Sequence, residues 1–208
     1  MRPIQKAVDI LRAGGVIAFP TETVYGLAGD ATSDRAVNKI YDLKGRDTEK
    51  PLSIQVPDLE TLWQYVDKND VAEALARHFW PGPLTMVCKC KRGTAISSFV
   101  NKGGATLGVR MPQHPVALTL LKAFGKPLAV PSANLSGKAP ATTVAQVEKI
   151  FGDALDFYLD GGDSDVGTPS TVVDVSEGAV QVLRQGAIDL ADIQKVLHQG
   201  PDPLTHQI

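Results

Sequence analysis

Lys126-Pro-Leu-Ala-Val-Pro-Ser-Ala-Asn-Leu-Ser-Gly137 carries a short apolar run into a turn built from small hydrogen-bonding side chains. Pro127–Val130 reads as a brief strand, and a helix follows over roughly 142–151. Just upstream, Pro115–Phe124 reads as another helix. Helix, strand, loop and helix in succession point to stacked layers, and ligands of such sheets favour loops at the carboxyl ends of strands. Ser132 and Asn134 can bond phosphate, ribose or base edges. Ser, Asn and Gly are also ordinary turn formers, so the loop admits a purely structural reading as well.

The same alternation extends outward. Residues 3–13 predict a helix whose Ile4, Ala7, Val8 and Leu11 share a face, stopped by Gly14-Gly15. Val16–Phe19 predicts a strand, and Pro20 opens the polar loop Thr21-Glu-Thr-Val-Tyr-Gly26. Ser33 can cap a helix carrying Ala36, Val37, Ile40 and Tyr41, which ends near Lys44-Gly45. Strands are expected at Leu52–Val56, Leu84–Cys90, Ala105–Met111, Phe157–Leu159, Ser170–Val175 and Val180–Leu183, with Glu177-Gly178 turning the last two into a hairpin. Helices are expected at 58–66, 70–79 and from Asp189 to near His198, with Trp80-Pro-Gly-Pro83 as a rigid breaker. No clean βαβ repeat emerges. The expected class is therefore α/β (α+β), a twisted mixed sheet flanked by helices, in one domain over 1–199 with a loose tail at 200–208.

Bulk composition narrows the function. The chain has 208 residues, 43% hydrophobic and 21% charged, as in ordinary globular proteins. Its net charge of −2, from 21 basic and 23 acidic residues, excludes a globally basic RNA-coating protein but permits a local basic patch. Cys88 and Cys90 lie two apart in an extended run and are poorly placed to bridge. The histidines at 78, 114, 198 and 206 show no ligand spacing, so no metal site is expected. Asp9 and Arg12 interrupt the first apolar stretch, and no run approaches the length of a membrane span. A reducing cytoplasm is the expected setting.

Several clusters are candidates for chemistry. Lys44, Arg46 and Lys50 put three cations within seven residues, with a polyphosphate or a solvated loop as the competing explanations. Arg110 lies inside the apolar strand Leu107-Gly-Val-Arg-Met111; it must meet an internal acid or await an anionic ligand such as a carboxylate. Thr21 and Thr23 follow a strand end. Thr168-Pro-Ser-Thr171 opens a strand and Arg184 closes one. No G-x-x-x-x-G-K-[ST] loop and no nucleophilic triad is present.

Pro20-Thr-Glu-Thr-Val-Tyr-Gly-Leu27, Lys44-Gly-Arg46, Trp80-Pro-Gly-Pro83, Val109-Arg-Met-Pro112 with His114-Pro115, Ser132-Ala-Asn-Leu-Ser-Gly137 and Ser170-Thr-Val-Val173 occur in the order seen in the YrdC/TsaC family. Over residues 5–190 the chain resembles these threonylcarbamoyl-AMP synthases in their compact form. The resemblance implies an open sheet with a positively lined cavity. It implies that L-threonine, bicarbonate and ATP give threonylcarbamoyl-adenylate, pyrophosphate and water. Mg²⁺ would accompany ATP, and partner proteins would pass the group to adenosine 37 of tRNA. Carried over by position, Thr23, Gln55, Arg110, Val130 and Ser170 are the expected threonine-binding residues. Arg46, Lys50, Thr106, Ser132, Asn134, Pro140 and Arg184 are expected to bind ATP, and Lys44 and Arg46 are the expected catalytic pair. Two departures stand out: Asp47, where many relatives have proline, and Gln55, where many have a histidine. A nucleotidyltransferase is the main expectation. The rivals are an RNA-binding module of the same fold, a relative that has lost synthesis, and a carbamoyl-transfer enzyme with a different acceptor.

Overall fold

A computed structural model describes residues 2–199; the tail expected at 200–208 lies outside the described residues. Nine strands form one mixed sheet in the order β7-β1-β2-β6-β3-β5-β4-β8-β9. They are β1 (Ile17–Phe19), β2 (Gly26–Asp30), β3 (Ser53–Gln55), β4 (Leu84–Lys89), β5 (Thr106–Arg110), β6 (Leu128–Ala129), β7 (Phe157–Tyr158), β8 (Thr171–Asp174) and β9 (Gln181–Arg184). Pairs β1–β7, β3–β5 and β4–β8 run parallel and the rest antiparallel. The helices are α1 (Arg2–Arg12), α2 (Asp34–Lys44), α3 (Leu59–Tyr65), α4 (Asp70–Phe79), α5 (Ser98–Asn101), α6 (Pro115–Phe124), α7 (Val144–Phe151) and α8 (Leu190–Gln199). The expected α/β class and mixed open sheet therefore hold.

Local chemistry accounts for the element ends. The Ser33 hydroxyl accepts from the Ala36 amide at 3.3 Å, and Gly45 closes α2 in the left-handed region at φ 54°, which a side chain would disfavour. Thr143, Asp58 and Asn69 cap α7, α3 and α4 in the same way. The sequence reading misses β2 and α5. Gly26-Leu-Ala-Gly-Asp30 lacks the residues that mark strands. It is nevertheless central and fully buried, because glycine lets neighbours close in. A Cβ on Gly26 would lie 2.7 Å from Val130 Cγ1, and one on Gly29 would press on Ala36 and Ile40 of α2.

Two apolar clusters flank the sheet. Ala7, Val8 and Leu11 of α1 and Ala117, Leu120, Leu121 and Phe124 of α6 pack on Ile17, Phe19, Ala28 and Leu128 of the β1–β2–β6 half. On the opposite face, Ile54, Met86, Cys88, Leu107, Val109 and Val173 join Leu62, Leu75 and Ile40 in the larger cluster. Alternate residues on β3, β5, β4 and β8 therefore point the other way, where neither α1 nor α6 reaches. That half-sheet face is the floor of the cavity described next.

Candidate active site

The cavity measures about 370 Å³, within the range of ligand pockets. Its floor is one face of four strands read at a spacing of two: Ser53 and Gln55, Thr85 and Val87, Thr106, Gly108 and Arg110, and Ser170 and Val172. The walls are the 21–26 loop, Arg46 with Pro51, Val130–Ser132, and Leu183 and Arg184 of the edge strand. Thr23, Arg46, Gln55, Thr106, Arg110, Val130, Ser132, Ser170 and Arg184, all singled out from the sequence, meet here. Lys44, Lys50, Asn134 and Pro140 are absent from the lining.

Lys44, expected beside Arg46 as a catalytic cation, does not line the cavity. Its side chain is almost wholly buried and its Nζ donates to Ser132 O at 2.6 Å, to Asn134 O at 2.7 Å and to Asn134 Oδ1 at 3.2 Å. Three oxygens engage all its donors, so it clamps the Ser-Ala-Asn loop to the end of α2 instead of facing a phosphate. Burial, and then Arg46, push its pKa down to about 8. Asn134 belongs to the same clamp. Its Oδ1 also accepts from Ser132 Oγ at 2.6 Å, and its Nδ2 donates to Leu135 O and Lys138 O. Lys50 is exposed and contributes its carbonyl, which accepts from Tyr41 and from Arg46 Nε. Pro140 precedes Ala141, whose amide bonds Ala133 O behind the wall.

Arg110 is 6% exposed and its guanidinium is largely claimed by the protein. Nε donates to Gly82 O at 3.1 Å and Nη1 to Thr23 Oγ1 at 2.9 Å. Nη2 forms a buried ion pair with Glu22 Oε1 at 2.7 Å. The Trp80–Pro83 breaker thus supplies the carbonyl beneath the arginine. Of the two alternatives for Arg110, the internal acid is present as Glu22, and the guanidinium also lines the cavity. A side-on fork to a ligand carboxylate is closed, since Nε and Nη2 face protein. Burial pulls the guanidinium pKa down and Glu22 opposes that.

The other two arginines differ. Arg46 donates from Nε and Nη2 to the carbonyls of Lys50 and Pro51 at 3.3 and 3.1 Å. Arg184 donates to Ser170 O at 2.8 and 3.3 Å. Neither has a carboxylate within 4 Å among the described residues. Burial, Arg110 and Arg46, in that order, hold Arg184 below the usual arginine range. Gln55 is 4% exposed and its Oε1 is buried without a partner.

Sequence reasoning missed Glu22, Thr85 and Tyr25. Thr85 Oγ1 pairs with Ser170 Oγ at 2.8 Å. Tyr25 donates to Gly162 O at 2.8 Å and pins the 160–170 loop, with burial raising its pKa to about 12. The period-two polar residues of β3, β4 and β5 are the signal that could have found the floor.

The Sua5/YciO/YrdC family model, described as telomere recombination, matches residues 9–186. A Bacillus subtilis relative named threonylcarbamoyl-AMP synthase is 40% identical over 95% of this chain and 57% of its own length. A Vibrio parahaemolyticus protein of the same name is 35% identical over 89% of this chain and 100% of its own. The crystal structure of Pyrococcus abyssi Sua5 complexed with L-threonine superposes with a TM-score of 0.89 at 38% identity, covering 95% of this chain and 58% of that one. The chain thus spans little more than half the length of the Bacillus and Pyrococcus proteins.

Proposed function

The chain belongs to the Sua5/YciO/YrdC family, and on that premise we propose that it is an L-threonylcarbamoyladenylate synthase. The observation that carries this reading is one cavity lined by two unlike sets of residues. Arg46 and Arg184 supply cations free of acidic partners, while Thr23, Gln55, Arg110 and Ser170 supply a buried polar floor. A polyphosphate and an amino acid differ in just this way.

In the proposed reaction the threonine amine and bicarbonate lose water to form a carbamate. A carbamate oxygen bonds the α-phosphorus of ATP as the bond to the pyrophosphate oxygen breaks. The products are threonylcarbamoyl-adenylate, pyrophosphate and water. The carbamate is already an anion, so the site needs alignment and charge neutralisation more than a strong base. Arg46 and Arg184 would meet phosphate oxygens, and Ser132 Oγ, whose proton goes to Asn134, would accept from a ribose hydroxyl. Lys44 and Asn134 would hold Ser132 in place. Arg110 Nη1 and Thr23 would meet the threonine carboxylate.

The lining offers hydroxyls from Thr85, Thr106 and Ser170 and no carboxylate, and the described residues contain no cluster of three metal-binding side chains. That donor set fits an Mg²⁺ carried in by ATP and mostly hydrated. Transfer to adenosine 37 of tRNA by partner proteins belongs to the same proposal. No described helix is long and apolar enough to cross a membrane.

The test is direct. Purified protein incubated with ATP, Mg²⁺, bicarbonate and single amino acids should give, by mass, the adenylate of threonine above all others. Nucleic-acid binding with a steep salt slope and no adenylate would favour the RNA-binding alternative.

A further inference from the structure

Glu22 is a buried acid that the proposed reaction does not use. Its side chain is 9% exposed and does not line the cavity. The main chain around it is fixed: Val166 N donates to Glu22 O at 2.9 Å, and Ser164 Oγ donates to Thr21 O at 2.8 Å. Its Oε1 sits 2.7 Å from Arg110 Nη2, and its Oε2 is buried with no hydrogen-bond partner. His114, whose pKa burial holds below the usual imidazole range against the pull of Glu22 and Asp165, adds no cation here at neutral pH. Of the three arginines lining the cavity, only Arg110 carries an acid.

We propose that Glu22 is a positioning and charge-sorting residue: it neutralises Arg110, turns the Nη1 side to the cavity, and so reserves that guanidinium for a zwitterion while phosphates are drawn to Arg46 and Arg184. The physical reason is a difference of attractions. A phosphate approaching Arg110 meets the field of Glu22 immediately behind the guanidinium, whereas no carboxylate lies within 4 Å of Arg46 or Arg184 among the described residues. An amino acid brings both charges and loses little by this arrangement. Without such sorting, ATP or the departing pyrophosphate would compete for Arg110. The inference rests on the proposed reaction for the identity of the two ligands, but the anion preference itself does not.

Inorganic pyrophosphate is the probe, titrated calorimetrically into the full chain. Wild type should bind one equivalent, unaffected by saturating L-threonine. Glu22→Gln should bind two, the second displaced by threonine and absent from Glu22→Gln/Arg110→Gln. Competition between pyrophosphate and threonine in wild type would overturn the proposal, as would a single equivalent in a folded Glu22→Gln. Should that variant fail to fold, the wild-type competition decides alone. A protein that counts pyrophosphate as expected yet makes no adenylate would refute the proposed function and leave charge sorting standing.

Discussion

Arg110 and Arg46 share one cavity and have opposite surroundings. Arg110 is buried, bonded to Gly82 and Thr23 and paired with Glu22. Arg46 is half-buried, rests on two carbonyls and has no carboxylate within 4 Å among the described residues. A buried charge must be compensated within the fold, whereas a partly solvated one can stay uncompensated until a ligand arrives. The first arginine is therefore tied into the fold by an acid, and the second is held by backbone carbonyls alone.

That contrast can be broken by substitution. Arg110→Ala leaves Glu22 buried and unpaired, and stability should fall by about 3–5 kcal/mol in a denaturant titration. Where the variant is folded, its threonine requirement should rise more than its ATP requirement; equal changes would remove Arg110 from amino-acid binding. Arg46→Ala should melt like wild type yet lose about 2–5 kcal/mol of transition-state stabilisation, read as the fall in pyrophosphate release. Turnover within a few-fold of wild type would end its phosphate role.

Smaller effects sharpen the comparison at Lys44, a cation buried like Arg110 but held by carbonyls alone. Lys44→Met leaves Asn134 O without its lysine donor and Ser132 O with the Asn134 amide alone, and should cost about 1–3 kcal/mol in denaturant stability, with weaker ATP binding as the loop loosens. An unchanged ATP affinity would show that the loop holds its shape unaided. The smallest effect is a pH dependence. The folded-state pKa of about 8 lies below the ordinary 10.5, so between these values the folded protein binds fewer protons than the unfolded chain. The Lys44 contribution to stability should therefore rise with pH across that window. The difference in melting temperature between wild type and Lys44→Met, followed from pH 7 to 10, should grow, and a flat difference would contradict the depressed pKa.

Much of this was legible in particular residues. Ser33, Gly45 and the stripe from Ala36 to Tyr41 specify α2, because caps and periodicity act within a few residues. Arg110 announced itself as a cation in an apolar strand. Other roles were not legible. Lys44-Gly-Arg46 reads as adjacent cations, yet the buried lysine ties down a loop about ninety positions away while the arginine turns to the cavity. Glu22 looks like one polar residue among threonines until Arg110, 88 positions on, is seen against it. Gly26–Asp30 has no strand signal, since its pairing comes from close neighbours and not from its own propensity.

By itself the sequence determined most helices and strands, the α/β class and the ordered motifs that place the chain in its family. Those properties follow from short-range backbone preferences and side-chain periodicity. Only the tertiary structure decided which cations face the cavity and which are held inside. That choice depends on desolvation and on partners brought together by the strand order β6-β3-β5-β4-β8, where neighbours in space are distant along the chain.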